Sequence, residues 1–333
     1  MNHQFSLKIV LACISLMASI LLLAPQAKAD DFPSKPIRLI VGFTPGGGTD
    51  IVARIVAQRL STIWNQPVIV DNRPSSNGTL AFSILAKAPA DGYTLAVMTP
   101  EQVIAPSLYN NLPYSLLNDL TPVVLMVHLP LILVSSNSFK PNTLSEVISL
   151  AKANPGKINF ASTGIGGAAH LSVELIMKKA GINMTHIPYK GSAPAYTDLM
   201  SGQVDLLSNN IVSTMPLINS GKLKAIAVTS GKPSAIAPDV KSVAESNGLQ
   251  GYDVNVWFGI VAPMKTPKNI VDKINQEVAK ILKEPDVRKQ LLAQGAEPVG
   301  GSPEDFGKFI RSDMKMWEDV IKSANIKANL AAP

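Results

Sequence analysis

A single cysteine in 333 residues, Cys13, leaves no room for a disulfide framework or a thiolate metal site. Aromatic residues make up only 5% and are not interleaved with basic ones, which speaks against nucleic-acid binding. Charged residues are 16% of the chain and form no long run of one sign. The densest basic pairs, Lys178-Lys179 and Arg288-Lys289, fall on helical patterns and read as solvated faces. There is no G-x-S-x-G elbow, no H-E-x-x-H pair and no Gly-Lys-Ser/Thr phosphate loop. Of the four histidines, His128, His170 and His186 have no ligand-like spacing and His3 precedes the hydrophobic run. Neither a catalytic residue, a metal site nor a cofactor is expected.

What is present begins with a leader. Lys8, the apolar run 9–23 and Ala27-Lys28-Ala29 before Asp30 read as a secretory signal peptide covering 1–29. The run is too short for a good membrane anchor. Val10-Leu11-Ala12-Cys13 is only a faint lipoprotein box, with four apolar residues ahead of the cysteine at most. Cleavage after Ala29 removes the one thiol and lowers the formal charge from +6 to +4. The product is an exported protein held together by core packing.

Past the leader, short β-branched runs alternate with helical patterns. Strands are expected at 37–42, 67–70 and 93–98 around helices at 49–64 and 77–87. The first helix carries Ile51, Val52, Ile55, Val56, Leu60 and Trp64 on one stripe. Pro100 and Pro106 interrupt this rhythm, and 123–127 with 131–134 read as two strands joined around Pro130. A second series follows: helices at 143–153, 167–180 and 193–200 among strands at 158–161, 185–189, 204–208 and 224–229. From Pro263 the chain reads as helical, at 267–283, 286–293 and 303–324. The fold class is therefore α/β in two lobes, each a mixed, mostly parallel sheet flanked by helices.

Each lobe offers a glycine-rich loop between a strand and a helix, where ligands of such sheets sit. The first is GFTPGGGTD at 42–50 and the second is STGIGGAAH at 162–170. Bare backbone N–H groups at a helix start attract an anion, and the dipole adds to them. Hydrogen bonds to a charged partner contribute roughly 1.5–3 kcal/mol each. Four or five could reach a micromolar Kd, about −8 kcal/mol, without an arginine clamp. A tight turn with Asp50 supporting the first helical turn is the competing account of Gly46-Gly47-Gly48. The second loop fits G-x-G-x-x-A at Gly164, Gly166 and Ala169, yet the next strand has no acidic residue for a ribose.

These residues resemble a known family. Asp31-Phe32-Pro33-Ser34-Lys35-Pro36 leading into Pro45-Gly46-Gly47-Gly48-Thr49-Asp50 is similar to the start of the receptors of tripartite tricarboxylate transporters, the Bug-type periplasmic solute-binding proteins. Asn72-Arg73-Pro74, Ala90-Asp91-Gly92-Tyr93, Ser162-Thr163-Gly164, Pro188-Tyr189-Lys190-Gly191, Ser201-Gly202-Gln203-Val204-Asp205 and Trp257-Phe258-Gly259 follow in the family's order. The resemblance implies a Venus-flytrap fold of residues 30–99 with 230–333 as one lobe and 100–229 as the other, crossing near Thr99 and Thr229. It implies a monomer that captures a small carboxylate (a di- or tricarboxylate, a keto or hydroxy acid, or an aromatic acid) in the periplasm. A membrane permease of two subunits would receive it. Presentation of the closed form to a membrane signalling protein is the alternative role.

Carried over onto this sequence, the ligand site would comprise Phe43, Gly47, Gly48, Thr49 and Asp50, with Ser75 and Ser76 from the loop after Asn72-Arg73-Pro74. From the second lobe come Ser162, Thr163, Gly164 and Gly167, with Asn209 after the Val-Asp-Leu strand. Three departures stand out. Ser75-Ser76-Asn77-Gly78 replaces a glycine-alanine-glycine-glycine run, Gly167-Ala168 replaces hydroxyl residues, and Asn209 replaces a common aspartate. The lost negative charge points to a ligand without a cationic group.

Overall fold

The computed structural model describes residues 32–109 and 111–323. The signal peptide read from the sequence lies outside them, apart from its consequences for charge. The chain divides into two units, Met1–Ser34 and Lys35–Pro333, and the second carries everything below. Among the described residues no helix is long and apolar enough to cross a membrane.

Strand β1 (Ile37–Val41) pairs in parallel with β2 (Val68–Asn72) and β3 (Thr94–Met98). Helix α1 (Gly48–Trp64) and helix α2 (Thr79–Ala86) make the crossovers. On α1 the fully buried stripe is Val52, Val56 and Leu60 with Ala53 and Ala57, while Ile51, Ile55 and Trp64 are its half-buried edges. A second parallel set is formed by β5 (Asn159–Ser162), β6 (Thr185–Pro188) and β7 (Leu206–Asn210). Its helices are α5 (Ala168–Ala180) and α6 (Ser192–Ser201), with α4 (Leu144–Ala153) ahead of them.

One strand joins the sets. The sequence reads two strands around Pro130, but β4 (Leu120–Ser135) is continuous through it. From Leu120 to Pro130 it pairs antiparallel with β9 (Asn255–Pro263), and β10 (Glu297–Gly300) pairs with it around His128. From Leu131 to Ser135 it pairs with β7, and with β8 (Lys224–Val228). Pro130 sits at the changeover, where its missing N–H disturbs neither ladder. The next residue is tied at once: Leu131 N–H donates to Thr229 Oγ1 at 2.9 Å and Thr229 N–H donates to Leu131 O at 2.9 Å.

Two helices hidden behind prolines also appear. α3 (Pro100–Leu108) has Pro100 in its first turn, a position that needs no N–H, and Gln102 Oε1 accepts the Thr99 N–H at 2.8 Å. Pro106 is tolerated because this short helix is buried almost throughout, packed on α10 (Pro303–Ser323) and on the turn at Ser76–Gly78. α7 (Ile211–Asn219) contains Pro216 and is capped by Asn210, whose Oδ1 accepts from Ser213 N–H at 3.1 Å. The region after Pro263 is not wholly helical: α8 (Lys268–Ile281) and α9 (Pro285–Ala293) are followed by β10, too short and proline-marked for a strand signal.

Candidate functional site

Both glycine loops end in helices that lack a cap from their own side chains. α1 starts after Gly47 (φ −72°, ψ 160°) and α5 after Gly167 (φ −69°, ψ 164°). These are ordinary cap dihedrals, so the glycines are required for other reasons. Gly46, at φ +78°, makes the turn, and its N–H donates to Asp50 Oδ2 at 2.9 Å. A Cβ on Gly48 would lie 2.0 Å from Asn210 Oδ1, so Gly48 is bare because the opposite half of the sheet presses a carboxamide onto it.

Around this contact lies a small cavity. Phe43, Gly47, Gly48, Thr49, Thr163 and Asn209, which the family resemblance singles out, line it. Glu101, Leu131, Ala169, Ser192, Asn210, Val256 and Phe258 line it as well, and sequence reasoning missed them. Its volume is about 30 Å³, room for only about two waters. The two loops are thus closed on each other. Wider hollows exist on the surface, one of about 660 Å³ beside Lys268 and Glu304, but it touches neither loop.

Other expected site residues stand behind the lining. Asp50 is buried and its carboxylate accepts from Gly46 N–H, from Arg54 Nε at 2.9 Å and from Asn72 Nδ2 at 3.0 Å. Burial opposes its ionisation, but these donors together hold its pKa below the usual value. Asp50 therefore shapes the first loop and does not face the cavity. Ser75 lies beneath the start of α2, where its Oγ accepts the Leu80 N–H at 3.0 Å. Ser76 opens the adjoining 3-10 turn. Ser162 Oγ donates to Gly164 O at 2.9 Å and lies 2.6 Å from His186 Nε2.

Beneath the second loop the rings of His170 and His186 stack with centroids 3.8 Å apart. His170 Nδ1 accepts the Gly166 N–H at 2.9 Å, which places the remaining proton on Nε2, facing Glu174 Oε1 at 3.1 Å. Burial, with His170 adding to it, pushes the His186 pKa down to about 3, so this ring is neutral. His170 thus holds the second loop from within.

Glu101 was invisible as a site residue because the Thr-Pro-Glu-Gln run reads as a break. Its carboxyl takes hydrogen bonds from the Thr99 hydroxyl and from the Glu101 and Ala168 backbone N–H groups. Complete burial nevertheless raises its pKa. Gly164 and Gly167 face Asn77 and Glu101: a Cβ on Gly164 would lie 2.5 Å from Asn77 Oδ1. Asn77 Nδ2 reaches across to Ile165 O at 2.6 Å. The Thr-x-x-Gln capping signal with proline at the first helical position could have revealed α3, and hence Glu101, from sequence.

Comparison with known proteins agrees with this fold. Residues 52–326 match the tripartite tricarboxylate transporter family receptor. BugT of Bordetella pertussis is 35% identical over 320 residues, which cover 96% of this chain and 98% of BugT. Among solved structures, R. palustris Rpa4515 with adipate has a TM-score of 0.87 at 36% identity, covering 90% of this chain and all of that one. MatC from Rhodopseudomonas palustris, with bound malate, has a TM-score of 0.81 at 33% identity, covering 87% of this chain and 100% of that one. The two sheet halves joined through β4 are this chain's form of the same two-lobed periplasmic-binding-protein fold. The chain belongs to the tripartite tricarboxylate transporter family of receptors.

Proposed function

We propose that the protein captures a small carboxylate between its two glycine loops in the periplasm and delivers it, as a monomer, to a two-subunit membrane permease. The observation that carries this reading is the start of α1. Among the described residues its first N–H groups meet no side-chain cap, border the cavity through Gly47, Gly48 and Thr49, and are accompanied by no lysine or arginine in the lining. Anion binding there rests on backbone dipoles alone. Similar receptors hold adipate and malate, which supports a carboxylate as the cargo class.

A cavity of about 30 Å³ cannot take such a molecule, so loading needs the halves to part. The division into 30–99 with 230–333 against 100–229 keeps its second crossing near Thr229. For the first crossing, the change of partners along β4 favours Pro130 over Thr99. Export follows from the leader ending at Ala29.

No chemistry on the ligand is included. The pair Ser162 and His186 has the spacing of a nucleophile and base, but the Ser162 hydroxyl is fully buried and donates to Gly164 O. The test is a thermal-shift screen of the refolded, ligand-stripped protein against carboxylates and their neutral isosteres. Stabilisation confined to carboxylates supports the reading, at roughly 2.7 kcal/mol for a hundredfold excess over Kd. Stabilisation by neutral compounds alone sinks it.

A further inference from the structure

The run Pro188-Tyr189-Lys190-Gly191 ends where α6 begins. Gly191 sits at φ +126°, which side chains rarely allow, and a Cβ there would lie 2.7 Å from Thr44 Oγ1. Bare backbone at this point lets the start of α6 come up against the first glycine loop. On the other side of the contact, Ser192 Oγ lies 3.7 Å from the point where a Gly47 side chain would begin. Two helices from opposite halves of the sheet, α1 and α6, therefore start at the same place. Neither has a side-chain cap. Two more helix starts reach the cavity, at α5 and α7, but both are served from within the chain. The first N–H of α5 faces the Glu101 carboxyl, and α7 is capped by Asn210.

The polar side chains of the lining point the same way. Glu101 takes the Thr99 hydroxyl, and Asn209 donates to Tyr196 Oη at 3.0 Å while its Oδ1 accepts the Asn210 N–H at 2.8 Å. Asn210 Oδ1 accepts from the Ser213 N–H and from the Ser213 hydroxyl, both at 3.1 Å. Thr49, Thr163 and Ser192 remain. They are 5%, 9% and 6% exposed, all three line the cavity, and their hydroxyls have no hydrogen-bond partner among the described residues. Buried hydroxyls are normally paired, so three unpaired ones around one cavity call for a partner from outside the chain.

We propose that one carboxylate group of the ligand is clamped between the starts of α1 and α6, with Thr49 on one side, Ser192 on the other and Thr163 beside them. Ser192 is then a ligand-binding residue, and the carboxylate itself ties the two halves of the sheet together. The proposal rests on the carboxylate reading above and names the contact that the second half makes. Pro194, third in α6, has no N–H, so Ser192 and Ala193 supply the amides of that helix start. The Ser192 hydroxyl adds a third donor beside them.

Calorimetric titration of the ligand-stripped protein with adipate, malate, succinate and benzoate tests this. Ser192→Ala should weaken whichever of them binds by about ten- to a hundredfold. Its thermal midpoint without ligand should stay within about 2 °C of the wild type, because the lost hydroxyl has no partner in the fold. Ser192→Asp places a carboxylate at the start of α6, where the dipole favours it, so unliganded stability is kept while carboxylate binding falls by at least about a hundredfold. An affinity in Ser192→Ala within about threefold of the wild type, or binding retained in Ser192→Asp, overturns the proposal and leaves the carboxylate reading standing. A loss of affinity in Ser192→Ala that is matched by an equal loss of unliganded stability also overturns it, because Ser192 would then be structural. If the wild type binds none of the four, the carboxylate reading falls, and this proposal falls with it.

Discussion

The starts of α1 and α5 are near twins in sequence and in backbone. Each follows a strand and a glycine run, and the two glycine caps differ by only a few degrees. Their electrostatics are opposite. At α1 the nearest acid, Asp50, is turned back into its own loop by Gly46, Arg54 and Asn72, and the N–H groups stay available. At α5 an acid from α3, Glu101, has moved onto the helix end. A glycine-rich helix start therefore specifies access to the backbone, and a residue from elsewhere in the chain decides whether a ligand or the protein itself uses that access.

The largest expected effect breaks the closed contact at α1. Gly48→Ala puts a Cβ where Asn210 Oδ1 now sits, and forced overpacking of this kind costs roughly 1–3 kcal/mol. Ligand affinity, measured by calorimetry, should fall by about ten- to a hundredfold while thermal stability without ligand falls much less. Equal losses in both would place the strain in the folded core and not in closure.

At α5 the comparison sharpens through Glu101. Glu101→Ala removes the carboxyl that the Ala168 N–H and the Thr99 hydroxyl face, leaving the hydroxyl only Gln102 Oε1, and should destabilise the protein by roughly 1–3 kcal/mol in urea unfolding. Glu101→Gln keeps an acceptor oxygen in place and should recover most of that loss. Failure of the glutamine to do so would mean that ionised Glu101 supports the fold.

Acidification separates the two halves. The His186 pKa falls from 6.5 to about 3 on folding, so the unfolded chain binds more protons, and this contribution is full above pH 6.5 and is lost as pH falls toward 3. Asp313, buried against Trp257 with Nε1 to Oδ2 at 2.7 Å, is raised from 3.8 to about 6 and acts the other way. Its contribution is full below pH 3.8 and is lost as pH rises through 6. The urea midpoint of His186→Gln should therefore decline less from pH 6.5 to 4 than that of the wild type. A parallel decline would remove His186 from the account.

The smallest effect is expected at Arg54. It pairs with Asp50 four residues back, but its side chain is half-exposed, and Gly46 and Asn72 also serve that carboxylate. Arg54→Met should cost at most about 1 kcal/mol in urea unfolding. A larger loss would show that Asp50 is held mainly by charge.

Sequence made the local features legible and left the cross-chain ones dark. Glycine runs, the α1 stripe and the strand-helix alternation are encoded over a few residues, whereas the cavity-lining Phe43, Thr49, Thr163 and Asn209 are singled out only by the family resemblance. Val256 and Phe258 reach the cavity from β9, and Leu131 from β4, through pairings between segments far apart in the chain, for which no short pattern exists. Prolines hid the rest. Pro130 looked like a strand end because nothing local shows that its missing N–H falls between two ladders. Pro106 and Pro216 masked helices whose stability comes from burial and from capping by Gln102 and Asn210.

The sharing of β4 also bears on how the chain can be divided. Eleven of its residues complete one sheet half and five complete the other, so neither half has all its strands without the same sixteen-residue segment. Cutting out either lobe to study it alone would expose an unpaired edge in the middle of the remaining sheet, where other chains can add. Two sheet halves built on one shared strand are in this sense one folding unit, and damage to β4 in either half should unfold both.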